Sequence, residues 1–280
     1  MNATVSPILN RRTLLRAGAA AAVGAASLSW AQSSLGGARL LVNEAVTADL
    51  SISMLAMRYR GWADYISANL RSKQMLVDPI IDIRRFVQQA LSDDKPAVIF
   101  GKSVNQLAKL VRDHGYQPVV RRADPYKAAF IVPKGSAIRE MSQLSGRKLL
   151  MPDEFAATTA MAKAELRRLN VRDPYISHTR FQDSVAAQIS AGMADAGVVN
   201  PTIARKWKES GGTVIGETLP VVNWSLLAAP KTPADVVNKL ADSMLAMNIQ
   251  PTGLLSEIGV KEWARGERKE YLALLEYTGE

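Results

Sequence analysis

The chain has 280 residues, 48% of them hydrophobic and 22% charged, with a formal charge of +9. These are globular proportions, enough for one large domain or two lobes of about 100–150 residues, and a basic excess spread along the chain rather than clustered speaks against nucleic acid as a partner. With no cysteine, and with His114 and His178 the only histidines, the composition excludes disulfides, thiolate nucleophiles and Cys- or His-rich metal sites, and no metal or cofactor is expected.

Residues 1–31 read as an export signal. Arg11-Arg12 precedes a weakly apolar, alanine-rich stretch, Ala17 to Trp30, too short for the roughly 20 residues that span a bilayer. Ser29 and Ala31 place small residues for cleavage after Ala31. The adjacent arginines favour the twin-arginine branch, and the periplasm is the expected location. Cleavage leaves 249 residues and removes Arg11, Arg12 and Arg16 but no acid, so the charge falls from +9 to +6. That modest positive field suits an anionic small ligand or an anionic membrane surface.

Beyond the signal, short apolar runs alternate with helical patterns, which predicts an α/β fold. The first strand and its exit loop are expected over Leu40–Val46. Apolar residues at Ile52, Leu55, Ala56, Tyr59, Trp62, Ala63, Ile66 and Leu70 give helical spacing over 51–70. Further strands are predicted at 75–77, 97–100, 116–120 and 128–132, with helices at 83–91 and 104–111. From Tyr126 the alternation restarts: strands at 147–151, 175–178 and 196–199, helices at 158–169, 182–191 and 202–209. Val221–Ala229 reads as a strand returning to the first unit, and helices follow at 234–247, 253–258 and 267–277. The expected plan is two lobes joined by a hinge around an interlobe cleft. Lobe 1 comprises 38–125 and 220–280, lobe 2 comprises 126–219, and the crossings lie near Arg122–Tyr126 and Glu217–Asn223.

Two segments share one design. The strand Ala97–Phe100 leads into Gly101-Lys102-Ser103 and a helix, and the strand Arg147–Met151 leads through Pro152 to Thr159 into another. Ligands of open α/β sheets bind beyond the carboxyl ends of strands, where helix N–H groups and hydroxyls can meet an anion. Ser103 and Thr158 are equally readable as plain helix caps, Tyr59 as core, His178 as structural and Asp195 as a turn former.

The order of several segments resembles the substrate-binding proteins of ABC importers for phosphate, phosphite and phosphonate. They are Val42-Asn43-Glu44, Arg58-Tyr59, Asp64-Tyr65-Ile66, Pro96 to Gly101, Gly115 to Val119, Leu144 to Lys148, Ala157-Thr158-Thr159, Gln182-Asp183-Ser184 and Ala194 to Gly197. The resemblance implies a type II periplasmic-binding-protein fold with the ligand in the cleft. The family's hydroxyl-rich turn falls on Ala157, Thr158 and Thr159, with one hydroxyl lost. Its histidine before an acid falls on Gln182-Asp183, its contact after the third strand on Lys102 and Ser103, and its N-terminal tyrosine on Tyr59. It further implies a small oxyanion ligand and, as partners, ABC transporter membrane subunits or a sensor kinase, with the protein itself a monomer and not an enzyme. A sensory or scaffold partner with a degenerate cleft, and an enzyme on the same fold, are the alternatives.

The twin-arginine reading predicts that an Arg11→Lys/Arg12→Lys variant leaves precursor in the cytoplasm. Fractionation and immunoblotting read the outcome, and an unchanged periplasmic yield with the general secretory route blocked would reject it.

Overall fold

The computed structural model describes residues 39–44, 50–70, 72, 74–250 and 253–280, so the expected signal lies outside the described residues. The described chain forms two mixed sheets with helices on both faces. The first sheet has the order β11-β4-β10-β3-β1-β2, built from β1 (Arg39–Asn43), β2 (Leu76–Pro79), β3 (Val98–Gly101), β4 (Gln117–Arg122), β10 (Ser225–Ala228) and β11 (Trp263–Arg265). The second has the order β7-β6-β8-β5-β9, from β5 (Ala129–Val132), β6 (Lys148–Met151), β7 (Tyr175–His178), β8 (Ala196–Val199) and β9 (Thr213–Glu217). In the first sheet β2, β1 and β3 run parallel, while β10 runs antiparallel between β3 and β4.

Sheets covered on both faces need strands that are apolar at every position, and the strand period of two then sends alternate residues to opposite cores. Leu40, Val42, Val98 and Phe100 point into one cluster with α1 (Ile52–Asn69) and α7 (Ala234–Ala246). Leu41 and Ile99 point into the other, with α2 (Ile83–Ala90), α3 (Val104–Asp113) and α9 (Arg268–Thr278). The second sheet divides in the same way. Phe130 and Val132 pack with α4 (Ala157–Arg168), and Ala129 and Ile131 with α5 (Gln182–Ser190) and α6 (Pro201–Glu209). Gly197 in β8 lets α5 approach: a Cβ there would lie 2.5 Å from Val185 Cγ1.

Local signals set the helix starts. Ser51, Asp82 and Asn200 each cap a helix by accepting a backbone N–H, from Met54, Arg85 and Ile203 respectively. The structure differs from the sequence expectation at several strands. The return strand is shorter, Ser225–Ala228, because Val221 pairs with Tyr126 in an isolated bridge and Asn223 turns the chain, its amide donating to Asp124 O at 3.0 Å. The first strand ends at Asn43, and 45–49, part of its expected exit loop, lie outside the described residues. β9 and β11 are additional strands. β9 carries Gly216, whose missing Cβ makes room for the Met141 side chain, and β11 spans three residues.

Tyr116 is buried and donates to Ala90 O at 2.6 Å, and burial pushes its hydroxyl up from 10.0 to about 12. Folding therefore favours the protonated form. The stability this contributes is present below pH 10 and is lost as pH rises through about 12. Burial shifts Tyr59, Tyr271 and Tyr277 in the same direction. In urea unfolding, Tyr116→Phe should cost about 1–3 kcal/mol at neutral pH and should flatten, without abolishing, the alkaline loss. An unchanged alkaline slope would contradict the assignment to Tyr116.

Candidate functional site

The parallel register of β1 and β3 builds the centre of the site. Asn43 is paired with Gly101, and Lys102 N donates to Asn43 O at 3.1 Å. The next residue of each strand, Glu44 and Lys102, therefore emerge side by side at the carboxyl edge of the sheet. Their side chains form an ion pair, with the Glu44 carboxylate only 2% and Lys102 only 9% exposed. Glu44 also accepts from the Tyr59 hydroxyl and lies 3.5 Å from an Arg58 guanidinium nitrogen. The Lys102 ammonium sits 3.9 Å from the centroid of the Trp224 ring, and the Arg122 guanidinium sits 4.4 Å from the same ring. Arg122 in turn holds Asp124 with two bonds, of 2.9 and 2.6 Å. Burial lowers the Lys102 pKa from its ordinary value, and Glu44 opposes that shift. Burial raises the Tyr59 hydroxyl well above its ordinary value, reinforced by the Glu44 charge.

The second sheet presents its parallel strands β6, β7 and β8 to the same region, so α4, α5 and α6 all begin there. Gln182, the first residue of α5, ties them together. It donates to Thr158 Oγ1 of α4 at 3.2 Å and accepts from the N–H of Asn200, the α6 cap, at 2.6 Å. Tyr126 completes the group, its hydroxyl 2.6 Å from Thr158 Oγ1.

Between these two halves lies a cavity of about 640 Å³, lined from the first sheet by Glu44, Arg58, Lys102, Arg122 and Trp224 and from the second by Tyr126, Asp183, Asn200 and Arg205. Of the residues expected from sequence, Lys102 and Asp183 line it. Tyr59, Thr158 and Gln182 stand one hydrogen bond behind Glu44, Tyr126 and Asn200. Thr159 is turned inward and donates its hydroxyl to Pro152 O at 3.1 Å, a carbonyl that His178 Nδ1 also binds at 2.8 Å. Ala157 is buried in the core that α3 and α9 share.

The plain-cap explanation fails for both hydroxyls. Ser103 stands at the α3 cap position without a side-chain cap bond, and its buried Oγ has no hydrogen-bond partner among the described residues. Thr158 is the second residue of α4, whose cap position is Ala156. Tyr59 serves both readings, its ring lying in the core and its hydroxyl on Glu44. Asp195 is a structural tie: its carboxylate accepts from the Lys148 N–H at 2.8 Å and its own N–H donates to Lys148 O at 2.9 Å. Sequence reasoning missed Glu44, Arg58, Arg122, Tyr126 and Trp224 as site residues. The signal available was position: Glu44 and Arg122 stand at strand ends, as Lys102 does.

The fold and cleft are those of a two-lobed solute-binding protein of type II. The chain belongs to the family described as ABC transporter, phosphonate, periplasmic substrate-binding protein, whose profile matches residues 45–271. This is a family of periplasmic transport proteins rather than enzymes. Among solved structures, XAC2383 from Xanthomonas citri bound to ATP is similar, with 14% identity, a TM-score of 0.72 and coverage of 86% of this chain and 97% of that one. PhnD1 from Prochlorococcus marinus in complex with methylphosphonate has 16% identity, a TM-score of 0.69 and the same coverage. A binding-protein component of an ABC phosphonate transporter from Pseudomonas aeruginosa has 11% identity and a TM-score of 0.64, covering 86% of this chain and 85% of that one. No curated protein sequence matches the chain.

Thr158 holds the second-sheet group together, so Thr158→Val strands the Gln182 amide and the Tyr126 hydroxyl. Each orphaned polar group should cost about 1–3 kcal/mol in urea unfolding. Thr158→Ser should recover most of that loss, and equal losses in the two variants would show that packing of the methyl group dominates instead.

Proposed function

We propose that this protein is an exported binding protein that captures a small phosphorus oxyanion, of the phosphonate, phosphite or phosphate class, and delivers it to the membrane subunits of an ABC importer. One observation carries the reading: the charge of the cleft. Among the described residues its lining has six cationic side chains, Arg58, Lys102, Arg122, Arg205, Lys206 and Lys261, against three carboxylates, Glu44, Asp124 and Asp183. A cavity with that surplus and low-dielectric walls concentrates anions. The helices that begin at its wall add partial positive charge, and Tyr126 backed by Thr158 offers a hydroxyl. Ligands of two structurally similar proteins, methylphosphonate and ATP, are both phosphorus oxyanions.

Capture works by closure of two lobes, 38–125 with 220–280 against 126–219, about the crossings near 122–126 and 217–223. Closure excludes water and strengthens every charge–charge contact inside. Binding without turnover fits the cleft, since neither histidine lines it and His178 is engaged with Pro152 O. The working form is a monomer in the periplasm after cleavage near Ala31, with a sensor kinase as an alternative recipient of the closed form.

Calorimetry of the mature protein against methylphosphonate, phosphite, phosphate, sulfate and ATP tests the reading. The expected result is saturable binding of at least one phosphorus oxyanion with no product formed, weaker at higher salt, together with compaction in small-angle scattering. Absence of binding across the panel would overturn it.

A further inference from the structure

We infer that Lys102 is a specificity-determining residue that fills the place a ligand ammonium would occupy, so that the cleft selects phosphonates without a cationic amine. This rests on the phosphonate-class reading above. A ligand ammonium entering a closed cleft needs a desolvated carboxylate or an aromatic face. The first sheet supplies both, and the chain's own cations already hold both. Glu44 binds Lys102 and Tyr59 and lies 3.5 Å from Arg58, at 2% exposure. The Trp224 ring carries Lys102 at 3.9 Å and Arg122 at 4.4 Å. The second carboxylate, Asp124, is held by Arg122 through two bonds of 2.9 and 2.6 Å. The third, Asp183, is exposed at the start of α5, where an ion pair contributes little.

The positions of these cations are fixed by the fold. Lys102 follows β3 by one residue and is anchored by its backbone N–H on Asn43 O, which sets its side chain beside Glu44, where the two form an ion pair. An incoming amine would meet Lys102, Arg58 and Arg122 as like charges, and like charges juxtaposed in a desolvated site are strongly disfavoured. A neutral alkyl tail, or one ending in a carboxylate, meets no such penalty. The apolar part of the Trp224 ring suits the first and the cationic surplus suits the second.

Ethylphosphonate and 2-aminoethylphosphonate differ only by the terminal amine, and phosphonoacetate carries a carboxylate instead. Calorimetry on the wild-type mature protein should show ethylphosphonate or phosphonoacetate binding at least about tenfold more tightly than 2-aminoethylphosphonate, a difference of about 1.4 kcal/mol. In Lys102→Ala one of the cations on Glu44 and on Trp224 is gone, while Arg58 and Arg122 remain, and the gap should narrow. Lys102→Gln, which keeps a hydrogen bond to Glu44, should narrow it and covers the case in which the alanine variant fails to fold. Equal or tighter binding of the amine by wild type overturns the inference, as does an unchanged gap in a folded Lys102 variant. Binding of methylphosphonate but of none of the longer probes would show rejection by tail size, which also overturns it. Failure to bind any phosphorus oxyanion would instead refute the reading of the cleft itself.

Discussion

A carboxylate at 2% exposure is the constraint around which the first half of the site is arranged. Taking Glu44 out of water costs several kcal/mol unless its oxygens are matched by donors and counter-charges. The fold provides these from two separate places: Tyr59 and Arg58 from one turn of α1, and Lys102 from the end of the neighbouring strand. Removing any one cation leaves the others to hold a buried charge, and truncating one partner of such a pair costs about 3–5 kcal/mol. The register of β1 against β3, the packing of α1 over the sheet and the seat of Trp224 are therefore coupled through a single carboxylate. Such a cluster is a poor device for stability, because well-packed apolar residues of similar volume serve as well or better. Its placement at the mouth of a cleft gives it a use in setting the field a ligand meets.

The other half of the site solves a different problem. Three helices begin at one edge of the second sheet, and each leaves N–H groups without intrahelical partners. Gln182 joins the three starts by donating to α4 and accepting from the cap residue of α6. Burial raises the Tyr126 pKa, with the bond to Thr158 opposing the shift, so the tyrosine remains a neutral hydroxyl facing the cleft.

Much of this was legible in the sequence, for identifiable reasons. Strands covered on both faces are continuous apolar runs, so Ala97–Phe100 and Ala196–Val199 stood out. Helices with an amphipathic stripe and a cap, such as the one beginning at Ser51, were equally plain. Edge strands were not: β11 is three residues long, and β9 carries a glycine that exists to admit Met141. The site was half visible. Turns after strands can be read from a sequence, which located Lys102, Ser103 and Thr158–Thr159. The partner of a buried charge cannot, because Glu44 and Lys102 are 58 positions apart in the chain and meet only through the parallel register. Whether a hydroxyl faces a cavity or a carbonyl is likewise a tertiary fact, and Thr159 was turned inward by Pro152 O.

The two halves also meet away from the cleft, and that contact bounds any motion between them. The C-terminal helix α9 packs against α3 of the first unit and reaches α4 of the second, where Tyr277 donates to Glu165 at 2.8 Å and Arg167 donates to Thr278 O at 2.6 Å. Asn105 and Gln106 at the start of α3 both donate to Phe155 O, at 3.2 and 3.1 Å. Glu165 is the buried member of this contact. Burial would raise its pKa, but bonds from Arg168 and Tyr277 hold the carboxyl below its ordinary value, so it is a charged acceptor at neutral pH. In the proposed closure, elements packed on both units would lie close to the axis of rotation, and α6, at the opposite wall of the cavity, would move most. The charges that such a closure would carry are Arg205 and Lys206, while Glu44, Lys102 and Arg122 would stay as the fixed floor. A ligand that first docks on the fixed floor would be enclosed by the mobile cations, and the built-in pairing of Glu44 with Lys102 leaves that floor set before the ligand arrives.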